Sequence, residues 1–410
     1  MKDSKQVFLQ LIAEGLKENP KPVEAVKQLS KNDVFEILNL AGNHSLLALL
    51  FTGLEASYNV GMTDISRCME EISKYERLTT MALYQIYLAC DELSKAFYEE
   101  KMTAVVLKGP AVGTYYTMPE LRKSGDLDLW IFELKTFEGE LYQKVMGILE
   151  THGFYWDGEK GSQHHRVFVN SNGLHVEIHT TFCDLFPEKE RNTVIDEFQK
   201  SIGKESFQRI KLIDRYEFLS LSGGDLIFYN LIHMAQHYYM KGFGWKFICD
   251  WAMLFSNPLP QEEEKHLHQW IKDAKMRNFA EAVSLLAVRY FNLDKHHVEF
   301  LIDGAVSEET LNEFAEQIFE TGEFGTKEKN RLYAPGKDSI KDLFLLFHLQ
   351  MQKNFEKASK IVLIWPVLWI VTLCKFIYNN KKIRGVSTVA VLKDAKKRGK
   401  KAEKMDLFGR

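Results

Sequence analysis

Cysteine is scarce in this sequence and forms no recognisable pattern. The five cysteines among the 410 residues are odd in number, lie far apart and include no Cys-x-x-Cys pair. This distribution excludes a disulfide framework and a cysteine-ligated zinc site, and it is typical of a reducing compartment. The first twenty residues also lack the apolar central run of a secretory signal peptide, because charged residues interrupt it. We therefore expect a cytoplasmic protein.

A large net charge is also absent. The formal net charge is −3 at pH 7, so the composition does not predict a protein that binds polyanions. Aromatic residues are abundant, but they fall at core spacing and are not interleaved with a basic stripe as in RNA-binding modules. A nucleic acid is therefore not an expected partner. The hydrophobic fraction of 45% is typical of a soluble globular protein.

The sequence has no apolar run long enough to cross a bilayer. The segment 361–374, "IVLIWPVLWIVTLC", falls short of the roughly 20 residues that a span requires. Ten Lys or Arg residues follow between 381 and 404, against only Asp394 and Glu403. The interpretation we favour is a buried helix followed by a solvated basic terminus. The alternative is peripheral contact of 361–404 with an anionic membrane surface.

The remaining periodicities predict an α+β fold, with a small mixed β-sheet core flanked by N- and C-terminal helical regions. Residues 1–100 repeat apolar positions every three or four residues, as helices do. Short apolar or alternating runs then begin at Thr103, and two of them are joined by a "SNG" hairpin signal. The helical pattern returns from about 188. The predicted parts are an N-terminal helical region at 1–100, an α/β core at 101–187, a helical domain closing the cleft at 188–325, and a linker, apolar helix and basic tail at 326–410.

Two aspartates stand one residue apart inside a predicted strand, "DLDLWIF". Because alternate residues of a strand share a face, Asp126 and Asp128 project side by side and repel each other. Mg²⁺ or Mn²⁺ bound between them relieves that repulsion. Glu177, on the predicted strand "LHVEIHTTF", offers a third carboxylate for a two-metal arrangement. The histidines His175 and His179 share the face of Glu177 and are candidate residues of the same cleft.

A turn that suits phosphate precedes these acids. The strand "AVVL" runs into Lys108 and Gly109 and then into a predicted short helix. Glycine lets backbone N–H groups approach a phosphate, and a lysine supplies a point charge for a triphosphate. Arg122 and Lys123, just before the aspartates, are candidates for the same role. The alternative is purely structural, with Asp126 starting the strand and Asp128 bonded to the backbone or to Arg122.

A second set of candidates lies on the later helices. His233 and His237 are four residues apart and share one helix face, a spacing that can bind a metal. They can equally line the cleft opposite the sheet, or occupy ordinary core or surface positions. Asp250, on the next predicted helix, either orients these histidines or packs. His164 and His165 are adjacent in a predicted strand, face opposite ways there, and are interpreted as structural.

The segments "LKGPAVGTYY", "LRKSGDLDLWI" and "HVEIH" resemble the uncharacterised bacterial nucleotidyltransferase family of the DNA polymerase β-like superfamily. The resemblance covers roughly residues 75–260. Members of that superfamily transfer a nucleotide from a nucleoside triphosphate (NTP) with Mg²⁺. The resemblance implies that Lys108 and Gly109 form the phosphate turn, and that the catalytic metal ligands are Asp126, Asp128 and Glu177. One departure is Pro110, which follows Gly109 where the wider superfamily has Gly or Ser.

The expected function is therefore metal-dependent transfer of a nucleotide from an NTP to a hydroxyl-type acceptor. The acceptor can be a small molecule, a sugar, a peptide or a protein, and the sequence does not select among them. Because Pro110 supplies neither a hydroxyl nor an N–H, a catalytically degenerate regulator that binds an NTP stays the alternative. A membrane-associated interaction protein with a vestigial sheet is a third interpretation.

Overall fold

The fold is α+β, as the sequence predicts. A computed structural model describes residues 4–58, 66–161, 164–240, 242–322, 339–355, 358–383, 387–389 and 405–408. Within these ranges the α-helices are α1 (Ser4–Gly15), α2 (Lys31–Asn43), α3 (Leu47–Tyr58), α4 (Ser66–Glu99), α5 (Pro110–Gly113), α6 (Gly139–Thr151), α7 (Lys189–Ser201), α8 (Gly223–Met240), α9 (Trp245–Leu254), α10 (Gln261–Asp273), α11 (Arg277–Phe291), α12 (Glu308–Thr321), α13 (Ser339–Asn354) and α14 (Trp365–Tyr378). The strands are β1 (Ala104–Val106), β2 (Asp126–Ile131), β3 (Tyr155–Gly161), β4 (His165–Val169), β5 (His175–His179), β6 (Phe207–Leu212) and β7 (Tyr216–Leu221).

The N-terminal helices pack backbone to backbone. Helix α2 begins with a capping box, in which the Ser30 hydroxyl accepts a hydrogen bond from the Asp33 N–H and the Asp33 carboxylate accepts one from the Ser30 N–H. Helices α1 and α3 approach most closely at two glycines. A Cβ added at Gly15 or Gly53 would lie 2.1 Å from a backbone carbonyl oxygen of the other helix. Side chains at these positions would therefore force the two helices apart.

One mixed sheet forms the centre of the molecule. Among the described residues it has seven strands in the order β3-β4-β5-β2-β1-β7-β6. Strand β2 is central, antiparallel to β1 and parallel to β5. Leu127 and Leu129 of β2 are completely buried, so one face of this strand belongs to the hydrophobic core. The other face carries Asp126, Asp128 and, at its far end, the fully buried core residue Trp130.

Long helix α4 lies against the sheet and connects the N-terminal helices to it. Its Asp91 carboxylate accepts a hydrogen bond from the Glu217 N–H of β7 over 3.0 Å. Its Tyr87 hydroxyl donates to the Pro119 carbonyl over 3.1 Å, next to the loop that leads into β2. These contacts attach α4 to β7 and to the segment that precedes β2.

The prediction that the chain is helical from about 188 onward is wrong. Strands β6 and β7 form an antiparallel hairpin, and β7 pairs with β1 in the same sheet. In the sequence "YEFLSL" of β7 the polar Ser220 is buried on the face of Tyr216 and Phe218, whereas the apolar Leu219 is half-buried on the other face, so the run lacks the regular polar–apolar alternation that marks a strand. The proposed division of the chain into domains stays a prediction.

The interpretation of 361–374 as a buried helix is also wrong. Helix α14 and the turn before it expose most of their apolar side chains, and within α14 only Leu368 and Thr372 are buried. None of the helices in the described ranges is both long and apolar enough to cross a membrane. Residues 323–338, where the linker was predicted, and most of the basic segment lie outside the described residues.

Candidate active site

The three predicted carboxylates lie on two neighbouring parallel strands. We call Asp126, Asp128 and Glu177 the carboxylate cluster. Asp128 of β2 is the direct register partner of Glu177 of β5, and Asp126 is paired in the same way with His175. Partners in adjacent strands have neighbouring Cβ atoms on the same face. The prediction that Glu177 stands in the same sheet as the aspartates is therefore confirmed.

Asp128 is the most enclosed member of the cluster, with no exposed surface. Its Oδ1 atom lies 3.0 Å from Lys108 Nζ and 3.0 Å from His179 Nε2. Its Oδ2 atom is buried and finds no hydrogen-bond partner among the described residues. A buried carboxylate oxygen without a donor costs free energy, so this atom has capacity to accept a further ligand.

The carboxylate cluster raises the pKa values of its two cationic neighbours, Lys108 and His179. Burial by itself would lower the pKa of Lys108, but Asp128, Asp126 and Glu177 outweigh it and the pKa lies well above its usual value. Burial also opposes the charged form of His179, yet hydrogen bonds to Asp128 and Glu177 raise its pKa to about 9. Both groups therefore carry positive charge at neutral pH.

The two flanking carboxyls shift in opposite directions. Burial raises the pKa of Asp126; Lys108 counteracts this, but Asp128 and Glu177 raise it further, so the net direction is upward. Burial would also raise the pKa of Glu177, but the hydrogen bond with His179 and the charge of Lys108 hold it below its usual range. Three acids thus share two cationic neighbours, and the residual negative charge favours a bound cation.

The donor atoms fit a divalent cation. Ligand atoms of Asp128, Glu177 and His179 all lie within 4.8 Å of one another. Two carboxylates and one imidazole form a donor set that accepts Mg²⁺ or Mn²⁺ through oxygen, and the free Oδ2 atom of Asp128 is suited to the same role. Asp126 is not part of this close group in the described part of the chain, although it was predicted as a ligand. Its role as a ligand stays a prediction.

The predicted phosphate turn follows β1 and has the expected backbone. Gly109 has a φ of +58°, a left-handed conformation that side chains disfavour. A Cβ at this position would also lie 3.3 Å from the Ser124 hydroxyl oxygen. Pro110 is the first residue of α5, where its missing N–H costs no helical hydrogen bond. Glycine is therefore required here by conformation.

Arg122, which was predicted to contact the nucleotide, forms a buried pair with Asp250, and its nucleotide contact stays a prediction. Arg122 Nε and Nη2 donate to the two carboxylate oxygens of Asp250 at 2.7 and 2.8 Å. The Tyr116 hydroxyl donates to Asp250 Oδ1 at 2.7 Å. Arg122 Nη1 donates to the Gly109 carbonyl at 3.1 Å. The guanidinium therefore holds the turn in place. Lys123 is half-buried, and its contact with the nucleotide stays a prediction.

The histidine pair on α8 packs together and against α9. The rings of His233 and His237 lie 4.5 Å apart between centroids, and both contact Phe247 of α9. Neither histidine belongs to a metal-capable group within the ranges that the structure describes. Asp250 is bonded to Arg122 and Tyr116, and an orienting role of Asp250 toward these histidines stays a prediction. A contact of these histidines with substrate stays a prediction.

Several residues near the cluster were not predicted. Tyr229 of α8 interacts electrostatically with Lys108 and Asp128, and burial raises its pKa well above the usual value. Lys246 of α9 lowers the pKa of Asp126 from across the cleft. Both lie more than 45 residues from the acids in sequence, and no local pattern marks them. Helices α8 and α9 thus supply the opposite side of the cleft.

The matched family includes all of these elements. The chain matches the family described as "Uncharacterised nucleotidyltransferase" over residues 30–292, which is more than half of its length. Comparison with the curated proteins finds no match. The matched range contains the turn, the carboxylate cluster and the helices that face them. The family resemblance predicted from three short motifs is thereby confirmed, and the chain belongs to the family of uncharacterised nucleotidyltransferases.

Proposed function

We propose that this protein transfers a nucleotide from an NTP to a hydroxyl-type acceptor in a reaction that requires Mg²⁺ or Mn²⁺. Family membership supports nucleotidyl transfer as the class of reaction. The single observation that carries the metal requirement is the register pairing of Asp128 with Glu177, together with the unpartnered Oδ2 atom of Asp128. Two acids on adjacent strands with a free, buried oxygen constitute a site for a cation.

The proposed step forms one bond and breaks one. The acceptor oxygen bonds to the α-phosphorus, the bond from that phosphorus to its bridging oxygen breaks, and pyrophosphate leaves. A carboxylate oxygen of Glu177 or Asp128 takes the acceptor's proton. When bound, the cation neutralises charge on the phosphates and orients the attacking oxygen.

The chain's own residues have distinct roles in this proposal. Asp128, Glu177 and Asp126 hold the cation, and His179 keeps Asp128 oriented through the contact of 3.0 Å with Oδ1. Lys108, now paired with Asp128, supplies positive charge to the triphosphate. Arg122 acts indirectly, because its bond to the Gly109 carbonyl holds the turn against the end of β2.

Release of pyrophosphate tests the proposal. The wild-type chain is incubated with each NTP, Mg²⁺ or Mn²⁺, and panels of sugar, peptide and protein acceptors. Asp126→Asn should abolish NTP-dependent pyrophosphate release while leaving the melting curve unchanged. Glu150→Gln, an exposed acid on α6, is the matched control. Unchanged activity in Asp126→Asn contradicts the proposal, and metal-dependent NTP binding by the wild type without turnover with any acceptor supports the regulatory alternative.

We further propose that residues 361–382 attach the protein to an anionic membrane surface. Their exposed side chains include Leu363 at 91%, Ile370 at 63% and Val367 at 60% of full exposure. The nearby basic residues Lys375, Lys381 and Lys382 add positive charge, and the sequence has no acid between 357 and 393. Apolar side chains beside lysines match the acyl and phosphate layers of such a surface.

Vesicle sedimentation tests this attachment. We expect the full chain to bind vesicles containing phosphatidylglycerol and to lose binding in high salt or on pure phosphatidylcholine. The double variant Leu363→Asp/Ile370→Asp should stay in the supernatant, whereas Phe35→Asp, which changes an exposed residue of α2, should bind like the wild type. Equal binding of the double variant contradicts the proposal. The proposal is also contradicted if the wild type self-associates and sediments without vesicles and the double variant does not.

A further inference from the structure

A second group of potential metal ligands lies beside the carboxylate cluster and consists only of histidines. His165 begins β4 and His179 ends β5, and the two are direct partners in the antiparallel pairing of these strands. His164 immediately precedes β4. A ring nitrogen of each histidine lies within 4.8 Å of the others. Three imidazoles that converge in this way form the usual nitrogen donor set of a borderline transition-metal ion.

The three rings are crowded and mostly enclosed. Ring centroids lie 4.3 Å apart for His164 and His165, 5.4 Å for His165 and His179, and 5.5 Å for His164 and His179. Their side chains are 12%, 15% and 3% exposed in chain order. Rings this close and this enclosed can each offer one nitrogen to a single ion, and binding of that ion would release the proton that His179 carries at neutral pH.

An outer carboxylate sets the orientation of one ring. Asp184 Oδ1 lies 2.7 Å from His164 Nδ1. A carboxylate accepts only, so His164 donates through Nδ1 and its Nε2 carries the lone pair in the neutral ring. That Nε2 atom lies 2.9 Å from His165 Nδ1, on the side of the ring opposite Asp184. Carboxylate–histidine pairs of this kind are the standard second layer of histidine metal sites.

His179 connects this group to the carboxylate cluster. Its Nε2 atom contacts Asp128 Oδ1, and its buried Nδ1 atom finds no hydrogen-bond partner among the residues described. Glu177 Oε2 lies 3.8 Å from His165 Nε2, so an oxygen donor stands at the edge of the histidine group as well. The arrangement therefore contains nitrogen donors and an adjacent oxygen donor. All of these donors lie on β4 and β5 or directly before β4.

We propose that His164, His165 and His179 bind one ion of the Zn²⁺, Co²⁺ or Ni²⁺ type, with Asp184 as the residue that positions His164. This site shares His179 with the oxygen-rich site proposed for Mg²⁺ or Mn²⁺ but differs from it in the other donors, because hard cations select carboxylates whereas borderline ions select imidazoles. It does not depend on nucleotidyl transfer, since it is defined by ligands that bind without nucleotide.

Cobalt and zinc binding test the site directly in the full chain. The protein is titrated with Co²⁺ in excess Mg²⁺ and without nucleotide, and the visible absorption of bound Co²⁺ is followed. Equilibrium dialysis with Zn²⁺ then gives the stoichiometry. We expect one equivalent of each ion and an absorption spectrum typical of nitrogen ligation. X-ray absorption of the zinc-loaded wild type should show three imidazole ligands, a measurement that needs no variant to fold.

Variants then assign the ligands. His165→Ala should weaken Co²⁺ binding at least tenfold, and Asp184→Asn should weaken it by about ten- to a hundredfold, the range measured for outer-layer partners. His175→Ala, on the same strand as His179 but outside the histidine group, and Asp126→Asn should both keep the wild-type affinity and spectrum. Fewer than three imidazoles in the wild type, or an unchanged affinity in His165→Ala, would overturn the proposal.

Discussion

Two buried charged clusters lie on either side of the turn after β1, and they differ in how completely their members are bonded. In the pair of Arg122 and Asp250, both carboxylate oxygens accept from the guanidinium, and Tyr116 adds a third donor. In the carboxylate cluster, three acids meet Lys108 and His179, and the Oδ2 atom of Asp128 has no partner among described residues. One cluster is neutral and complete, whereas the other is negative and incomplete.

This difference separates a structural role from a binding role. Arg122 also donates to the Gly109 carbonyl, so the complete cluster fixes the backbone that faces the site. A fully bonded polar network stabilises one conformation. In an incompletely bonded network, a ligand that satisfies the remaining polar group lowers the free energy when it binds. Composition alone cannot distinguish the two, because both contain aspartate and a basic side chain.

The largest expected effect is a loss of activity without a loss of stability. Asp128→Asn should lower the rate of pyrophosphate release by at least ~1000-fold, a change of about 4 kcal/mol in the activation free energy. Its free energy of unfolding should stay the same or rise, because two acids then face two cationic groups. Parallel rate measurements and urea unfolding check this. Coupled losses of rate and stability would mean that the cluster is structural.

The complete cluster should behave in the opposite way. Arg122→Met leaves Asp250 buried without a counter-charge and should lower the free energy of unfolding by about 3–5 kcal/mol. The double variant Arg122→Met/Asp250→Leu removes both charges and should recover most of that loss. Urea unfolding of the two variants measures the difference. A loss below about 1 kcal/mol in Arg122→Met would show that the pair does not hold the turn.

Metal addition should stabilise through the incomplete cluster only. At a hundred times its Kd, Mn²⁺ should raise the free energy of unfolding of the wild type by about 2.7 kcal/mol. Asp128→Asn should show a much smaller rise, and the exposed control Glu150→Gln the full one. Thermal unfolding with and without Mn²⁺ measures this. An equal rise in Asp128→Asn would place the ion elsewhere.

The smallest expected effect concerns Glu133, a carboxylate outside both clusters that lies just after the end of β2. Glu133 accepts hydrogen bonds from the Thr103 N–H and hydroxyl, both at 2.8 Å, and pairs with Lys204 at 2.9 Å. Burial would raise the pKa of Glu133, but these partners outweigh it and hold the pKa below its usual value. Glu133→Gln should cost about 1 kcal/mol at pH 7.

The lowered pKa of Glu133 determines how its contribution to the free energy of unfolding changes with pH. Because the folded pKa lies below the unfolded one, the contribution of the carboxylate is fully present above the ordinary pKa of 4.5 and is lost as pH falls through the folded pKa. The difference in unfolding free energy between wild type and Glu133→Gln should therefore shrink below about pH 4.5. A constant difference from pH 7 to pH 3 contradicts this account.

Much of the site was predictable, but its neighbours were not. The alternation in β2 identified Asp128, the motif of the turn identified Lys108, and the predicted strand "LHVEIHTTF" identified Glu177; the structure brings the three together. The bond of Asp250 to Arg122 was not predicted, because Arg122 lies 128 positions earlier in the chain. The proximity of the rings of His164 and His165, whose centroids lie 4.3 Å apart, was also not predicted. Strand alternation places them on opposite faces, but His164 lies just outside β4, where the alternation does not hold.

The sequence by itself determined the family, the α+β class and the face of β2 on which both aspartates stand. These properties depend on residue types at short, regular spacings, which the local backbone geometry translates directly into a shared face. Only the tertiary structure decided that Asp128 meets Glu177, that Arg122 binds Asp250, and that three histidines converge beside them. Such contacts join segments far apart in the chain, and they follow from strand order and packing, which leave no signal in either segment alone.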